Sequence, residues 1–130
     1  MSITNIAGKV FKTRQHKIER HYSSHALAMQ QEALERLLQK ARDTEYGVRH
    51  LFGTTHNYED FVVNTPLNTY EQLKGDIDRM RHGETGILWP GRVRWFAKSS
   101  GTTSDKSKFI PVTQDGLDHI HYAGSFDTVA

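Results

Sequence analysis

Two short apolar runs, Val93 to Ala97 and Phe109 to Val112, bracket a hydroxyl-rich stretch, and this pattern constrains the fold more than any other in the 130 residues. Runs of this length containing β-branched and aromatic residues read as strands, with the polar segment between them as a connecting loop. Five of the six residues from Ser99 to Ser104 carry a hydroxyl, and the sixth is Gly101. Glycine widens the accessible backbone conformations, so the loop can turn several N–H and O–H groups toward one anion. The same composition suits an exposed hairpin tip whose Ser and Thr side chains satisfy their own backbone. The loop by itself leaves both readings open.

Upstream, the pattern is helical. Between His25 and Glu45, Leu34, Leu37, Leu38 and Ala41 recur at i, i+3, i+4 and i+7, with Gln30, Gln31, Glu35, Arg36 and Lys40 on other faces. The spacing predicts an amphipathic helix ending at Tyr46, with Gly47 as its left-handed cap and a turn through Val48 to Phe52. Ile6 to Tyr22 also has helical composition, with Val10, Phe11 and Ile18 as candidate anchors. Phe61-Val62-Val63 reads as a short extended run, closed by Asn64-Thr65-Pro66. Asn68 with Glu71 resembles a capping box for a helix presenting Leu73, Ile77 and Met80 and stopping at Gly83. Ile87 to Gly91 reads as an apolar element with a turn. Gln114 to Val129 reads as the start of a last helix, with Leu117, Ile120 and Tyr122 as candidate core residues. The expected class is α/β: N-terminal helices, then mixed α/β with a strand-loop-strand element. No repeat or low-complexity tract marks a boundary, so residues 1–130 are expected to belong to one domain.

Composition narrows the functions. A hydrophobic fraction of 36% and a mean hydropathy of −0.65 are a thin supply of core for an independent domain. A formal charge of +2, from 17 basic and 15 acidic side chains, is weak for a dedicated nucleic-acid binder. Arg92 to Lys98 alternates bases with apolar and aromatic residues. On a strand, Arg92, Arg94 and Phe96 would share one face and Val93, Trp95 and Ala97 the other, which describes a half-buried strand feeding the loop. Arg14, Lys17 and Arg20 read as a solvated helix face. With no cysteine there is no disulfide framework and no thiolate nucleophile or ligand. Neither a signal-peptide h-region nor a run of membrane-spanning length is present, so the expectation is a cytoplasmic protein without a membrane partner. His21 and His25 would share a helical face, but no HExxH pattern or third ligand accompanies them, and His119 and His121 point in different directions. No metal ligands are assigned. The loop is not a Walker A motif, because Gly101 lacks a second glycine followed by Lys and Ser or Thr at the required spacing.

Taken together, Ser99-Ser100-Gly101-Thr102-Thr103, then Lys108 and Pro111, is similar to the phosphate-binding signature of the GH3 acyl acid–amido synthetases, part of the adenylate-forming superfamily. The spacing from Ser99 to Pro111 matches without a gap. Thr44-Glu45-Tyr46-Gly47, Asp60-Phe61, Thr65-Pro66-Leu67, Tyr70 and Leu88-Trp89-Pro90 also resemble that family's opening. The likeness thus covers roughly residues 34 to 113. Asp105 stands where many plant members carry glycine.

The resemblance implies activation of a small carboxylic acid by ATP and Mg²⁺ to an acyl-adenylate, followed by attack of an amino-acid amine. Ser99, Ser100, Thr102 and Thr103 would donate hydrogen bonds to the β- and γ-phosphates, Gly101 would admit the backbone, and Lys108 would offset charge on the leaving pyrophosphate. Lys98 and Lys106 compete with Lys108 for that role. The family's proteins are several times longer, so this chain is expected to be the N-terminal part of a larger adenylating domain, inactive alone. The alternative is a small non-catalytic module with an anion- or nucleic-acid-binding hairpin. Pro111 serves strand geometry in either case.

Overall fold

In a computed structural model of the chain, the described residues are 3–99 and 107–122. They form two compact units, Ala33–Gln114 and Met1–Glu32 with Asp115–Ala130. The order is α1 (Ile3–Ala41), α2 (Glu45–Arg49), a 3₁₀ turn at Phe52–Thr54, α3 (Tyr58–Asn64), α4 (Tyr70–Arg81), β1 (Trp95–Lys98), β2 (Phe109–Val112) and α5 (Gln114–Gly116). A π-helical turn, Leu117–Tyr122, follows α5. The strands pair antiparallel, Trp95 opposite Val112 and Lys98 opposite Phe109. The mixed α/β class and the strand-loop-strand order match the expectation.

The helix expected to run to Tyr46 stops at Ala41. Thr44 begins a new one: its buried hydroxyl donates to Ala41 O (2.7 Å) and accepts from Gly47 N–H (3.0 Å). The side chain thereby links the end of α1 to the N-terminus of α2. Gly47 is therefore no left-handed cap; it sits inside α2, and positive φ among the described glycines occurs only at Gly83 and Gly86. Glycine is needed at 47 for room, since a Cβ there would collide with Ala41 O and lie 2.9 Å from Ala41 C and 3.0 Å from Arg42 O. The first amides of α2 donate outward, Glu45 N–H to Gly86 O (2.8 Å) and Tyr46 N–H to Ile87 O (3.0 Å), which ties the helix junction to the turn after α4.

Phe61-Val62-Val63 is helical rather than extended. Asn57 Oδ1 accepts from Asp60 N–H at 2.8 Å, and Glu59 and Asp60 occupy the first turn, where negative charge suits the helix N-terminus. Phe61 turns inward toward Phe52, ring centroids 6.3 Å apart, while Val62 and Val63 stay exposed. The cap of α4 is Thr69, one residue after the expected Asn68: Gln72 Oε1 accepts from the Thr69 N–H (2.7 Å) and hydroxyl (3.0 Å). Asn68 instead donates to Tyr46 Oη (2.7 Å) and Pro66 O (2.8 Å). Gly83, at φ +98°, ends the helix as expected.

The buried apolar residues are Leu38, Ala41, Ile77, Met80, Ile87 and Val93, with Leu88, Trp89 and Phe96 packed against the Met80–Ile87–Val93 cluster. Leu37, expected in the buried stripe, is 44% exposed, and Ile120, an expected core residue, is exposed as well. The expected strand faces also differ. Val93 lies before β1 begins, so the period-2 alternation does not run through it; Phe96 packs inward and Trp95 is exposed. Leu51 has φ +58°, a costly conformation for a branched side chain, while its carbonyl accepts from Thr54 N–H, Thr54 Oγ1 and Thr55 Oγ1.

Candidate functional site

The β1–β2 hairpin brings Ser99 and Lys108 face to face at its neck. Ser99 N–H donates to Lys108 O at 3.0 Å, and Lys108 N–H donates to Ser99 Oγ at 3.2 Å. Both residues are half-buried. The first serine and the lysine of the motif, nine positions apart in sequence, thus pair at the end of the two-stranded ladder. The Ser99 hydroxyl is used here as an acceptor, and its proton stays able to donate elsewhere. Ser100, Gly101, Thr102 and Thr103 lie outside the described residues, as does Lys106. Lys98 is an exposed β1 residue opposite Phe109.

Helix α4 grips the other edge of β2. Tyr70 Oη, in the first turn of α4, accepts from Phe109 N–H at 3.0 Å, and Lys108 Nζ lies 5.7 Å from the centre of the Tyr70 ring. At the far end of α4, the Arg81 guanidinium stacks 3.7 Å from the Phe109 ring centre while bonding Asp78 Oδ1 at 2.9 Å. No helical or strand periodicity could reveal the Tyr70–Phe109 contact, because 39 positions separate the two residues. In the sequence, Tyr70 is marked only by the family likeness.

Charge is organised away from the hairpin as well. Arg79 forks onto Glu45, with both N–O distances 2.7 Å, and also reaches Glu84 at 2.8–2.9 Å. The hydrogen bonds from Arg79 hold the Glu45 carboxyl below its ordinary range, and the two carboxylates raise the Arg79 pKa. Burial pushes the Tyr46 phenol up, against the hydrogen bond from Asn68. Among the described residues no three His, Cys, Asp or Glu side chains come together as a metal site. A polar cleft of about 480 Å³ lies by Glu35, Gln39, Arg42, Thr55 and His56, and an apolar one of about 400 Å³ by Leu34, Leu37, Phe61, Leu73 and Trp89. Neither is lined by Ser99 or Lys108. The hairpin neck therefore lies outside both clefts, on a stem held by α4. No described helix is long and apolar enough to cross a membrane.

Residues 14–129 match the family model described as the GH3 family N-terminal domain. The chain is 32% identical over 97 residues to indole-3-acetic acid-amido synthetase GH3.5 of Arabidopsis thaliana, covering 74% of this chain and 16% of that protein. It is 32% identical over 92 residues to probable indole-3-acetic acid-amido synthetase GH3.2 of Oryza sativa subsp. japonica, covering 70% and 15%. With indole-3-acetic acid-amido synthetase GH3.15 of Arabidopsis thaliana the identity is 33% over 91 residues, covering 69% and 15%. The aligned part thus spans about a sixth of the length of these curated relatives.

Proposed function

The chain belongs to the GH3 family, and on that premise we propose that it is the N-terminal part of a larger adenylating domain that joins a small carboxylic acid to an amino acid at the expense of ATP. The observation that supports the reading is the pairing of Ser99 with Lys108, the first serine and the lysine of the motif, at the end of the β1–β2 ladder. Relatives named as indole-3-acetic acid-amido synthetases support the reaction class.

A carboxylate is a poor electrophile. In the proposed first step a carboxylate oxygen attacks the α-phosphorus of ATP, a new P–O bond forms, the α–β bridge breaks and pyrophosphate leaves. In the second the amine nitrogen attacks the acyl carbon, AMP departs with the bonding pair, and the nitrogen loses a proton to give the amide. The loop's task is to bind and orient the triphosphate. Ser99, Ser100, Thr102 and Thr103 donate to the β- and γ-phosphate oxygens, Gly101 lets the backbone come close, and Lys108 stabilises charge gathering on the leaving pyrophosphate. Hydroxyls and an ammonium suit phosphate oxygens rather than a bare cation, so Mg²⁺ would arrive on the triphosphate, where it supplies further charge neutralisation. Activity at the level of the whole domain is expected, and the 130 residues alone are expected not to turn over. An ATP-using, cysteine-free chain fits a cytoplasmic setting.

Product analysis tests the reading. The protein carrying this chain, given ATP, Mg²⁺, a panel of carboxylic acids and amino acids, should yield an amide together with AMP and pyrophosphate. Lys108→Ala should lower the rate about 100-fold, the scale of removing one group that stabilises transition-state charge. Formation of ADP and phosphate instead, or an unaltered Lys108→Ala rate, would contradict it.

A further inference from the structure

We propose that Tyr70 is a positioning residue for the phosphate loop, acting on Lys108 from below: its hydroxyl fixes the amide that follows Lys108 and its ring lies beneath the ammonium. The inference rests on the proposed phosphate-binding role of the loop and assigns to α4 a part in it. Three contacts carry it. Phe109 N–H, on the edge of β2 facing α4, donates to Tyr70 Oη at 3.0 Å. Lys108 Nζ lies 5.7 Å from the Tyr70 ring centre, within range of attraction by the negative face of the ring. Arg81, at the opposite end of α4, stacks on the Phe109 ring at 3.7 Å.

The consequence is geometric. The Lys108 backbone is pinned on one side by Ser99 Oγ and the Ser99 amide and, through the next peptide, on the other side by Tyr70. A lysine has a flexible four-carbon stem and carries its charge as a point, so its aim depends on what limits its rotamers. The Tyr70 ring, 5.7 Å from Nζ, provides such a limit. Helix α4 is a twelve-residue element anchored by the buried Ile77 and Met80, so the ring is presented from a part of the fold that the loop does not have to order itself.

The test has two arms, both on the protein that carries this chain. In the first, hydrogen exchange at the Phe109 amide is followed with residue resolution in the absence of any nucleotide. Tyr70→Phe keeps the ring and removes only the acceptor, and should speed exchange at Phe109 about tenfold; unchanged exchange overturns the proposal whatever the enzyme does. In the second, kcat/KM for ATP is measured in pyrophosphate exchange for Tyr70→Leu, alone and with Lys108→Ala. If Tyr70 acts through Lys108, its loss should cost about tenfold in the parent and less than about twofold once Lys108 is gone. Equal losses in the two backgrounds would mean a merely structural role and overturn the proposal. Absence of pyrophosphate exchange in the parent would count against the enzymatic reading itself, while the amide-exchange arm would still decide whether Tyr70 pins the stem.

Discussion

Replacing Gly47 by alanine should destabilise the protein, although alanine is ordinarily the better residue in a helix. At an unobstructed helical site the exchange gains about 1 kcal/mol, because glycine loses more backbone entropy on folding. Gly47 lies inside α2 with φ outside the positive range, so backbone conformation raises no objection. Space does: the new Cβ would overlap Ala41 O and press on Ala41 C at 2.9 Å and Arg42 O at 3.0 Å. All three atoms are backbone, so no rotamer change can relieve the clash. The α1–α2 junction would have to open, straining the two Thr44 hydrogen bonds that close it. Overpacking of this kind costs about 3 kcal/mol or more when only the main chain can yield. Gly75 is the matched control, exposed in the middle of α4 with nothing within 4 Å of an added Cβ. Gly75→Ala should gain about 1 kcal/mol. The two variants should therefore differ by about 4 kcal/mol, roughly a thousandfold in the folding equilibrium, in urea unfolding followed by far-UV circular dichroism. A Gly47→Ala protein as stable as the parent would refute the close approach of α2 to the end of α1.

Three further outcomes concern neighbouring contacts. Thr44→Ala removes a buried hydroxyl that both donates and accepts, and should cost about 2 kcal/mol by the same urea assay, with Thr44→Ser recovering most of it. Ile87→Ala, at a site 1% exposed in the Met80–Val93 cluster, should cost about 3 kcal/mol. The Arg79 fork depresses the Glu45 pKa, so its stabilisation is fully present above the ordinary glutamate value of 4.5 and lost as pH falls through the lower folded value. Thermal unfolding between about pH 6 and pH 3 should consequently show a shallower acid limb in Glu45→Gln than in the parent; identical acid limbs would contradict the assignment.

What could be read from the sequence followed the range of the interaction involved. The hairpin strands and the apolar face of α4 announced themselves because their signals are local: short β-branched runs around a polar loop, and Leu73, Ile77 and Met80 at helical spacing. Phe61-Val62-Val63 misled for the same reason. Its β-branched pair suggests a strand, but Asn57 supplies a cap and only Phe61 turns inward. Gly47 looked like a helix terminator because a cap glycine and a close-contact glycine are identical in sequence; only the position of the Ala41 carbonyl separates them. At the candidate site, motif spacing pointed to both Ser99 and Lys108, and the structure pairs them. The roles of Tyr70 and Arg81 depend on where α4 passes β2, a tertiary fact with no periodic trace.

In the proposed function this chain supplies the triphosphate grip of a carboxylate-activating enzyme. That role is tested most directly by exchange of labelled pyrophosphate into ATP, measured on the protein that carries these residues, with and without a carboxylic acid. Exchange should depend on the acid, require Mg²⁺ and fall about 100-fold in Lys108→Ala. Acid-independent exchange, or none across a broad panel of acids by a folded protein, would contradict it.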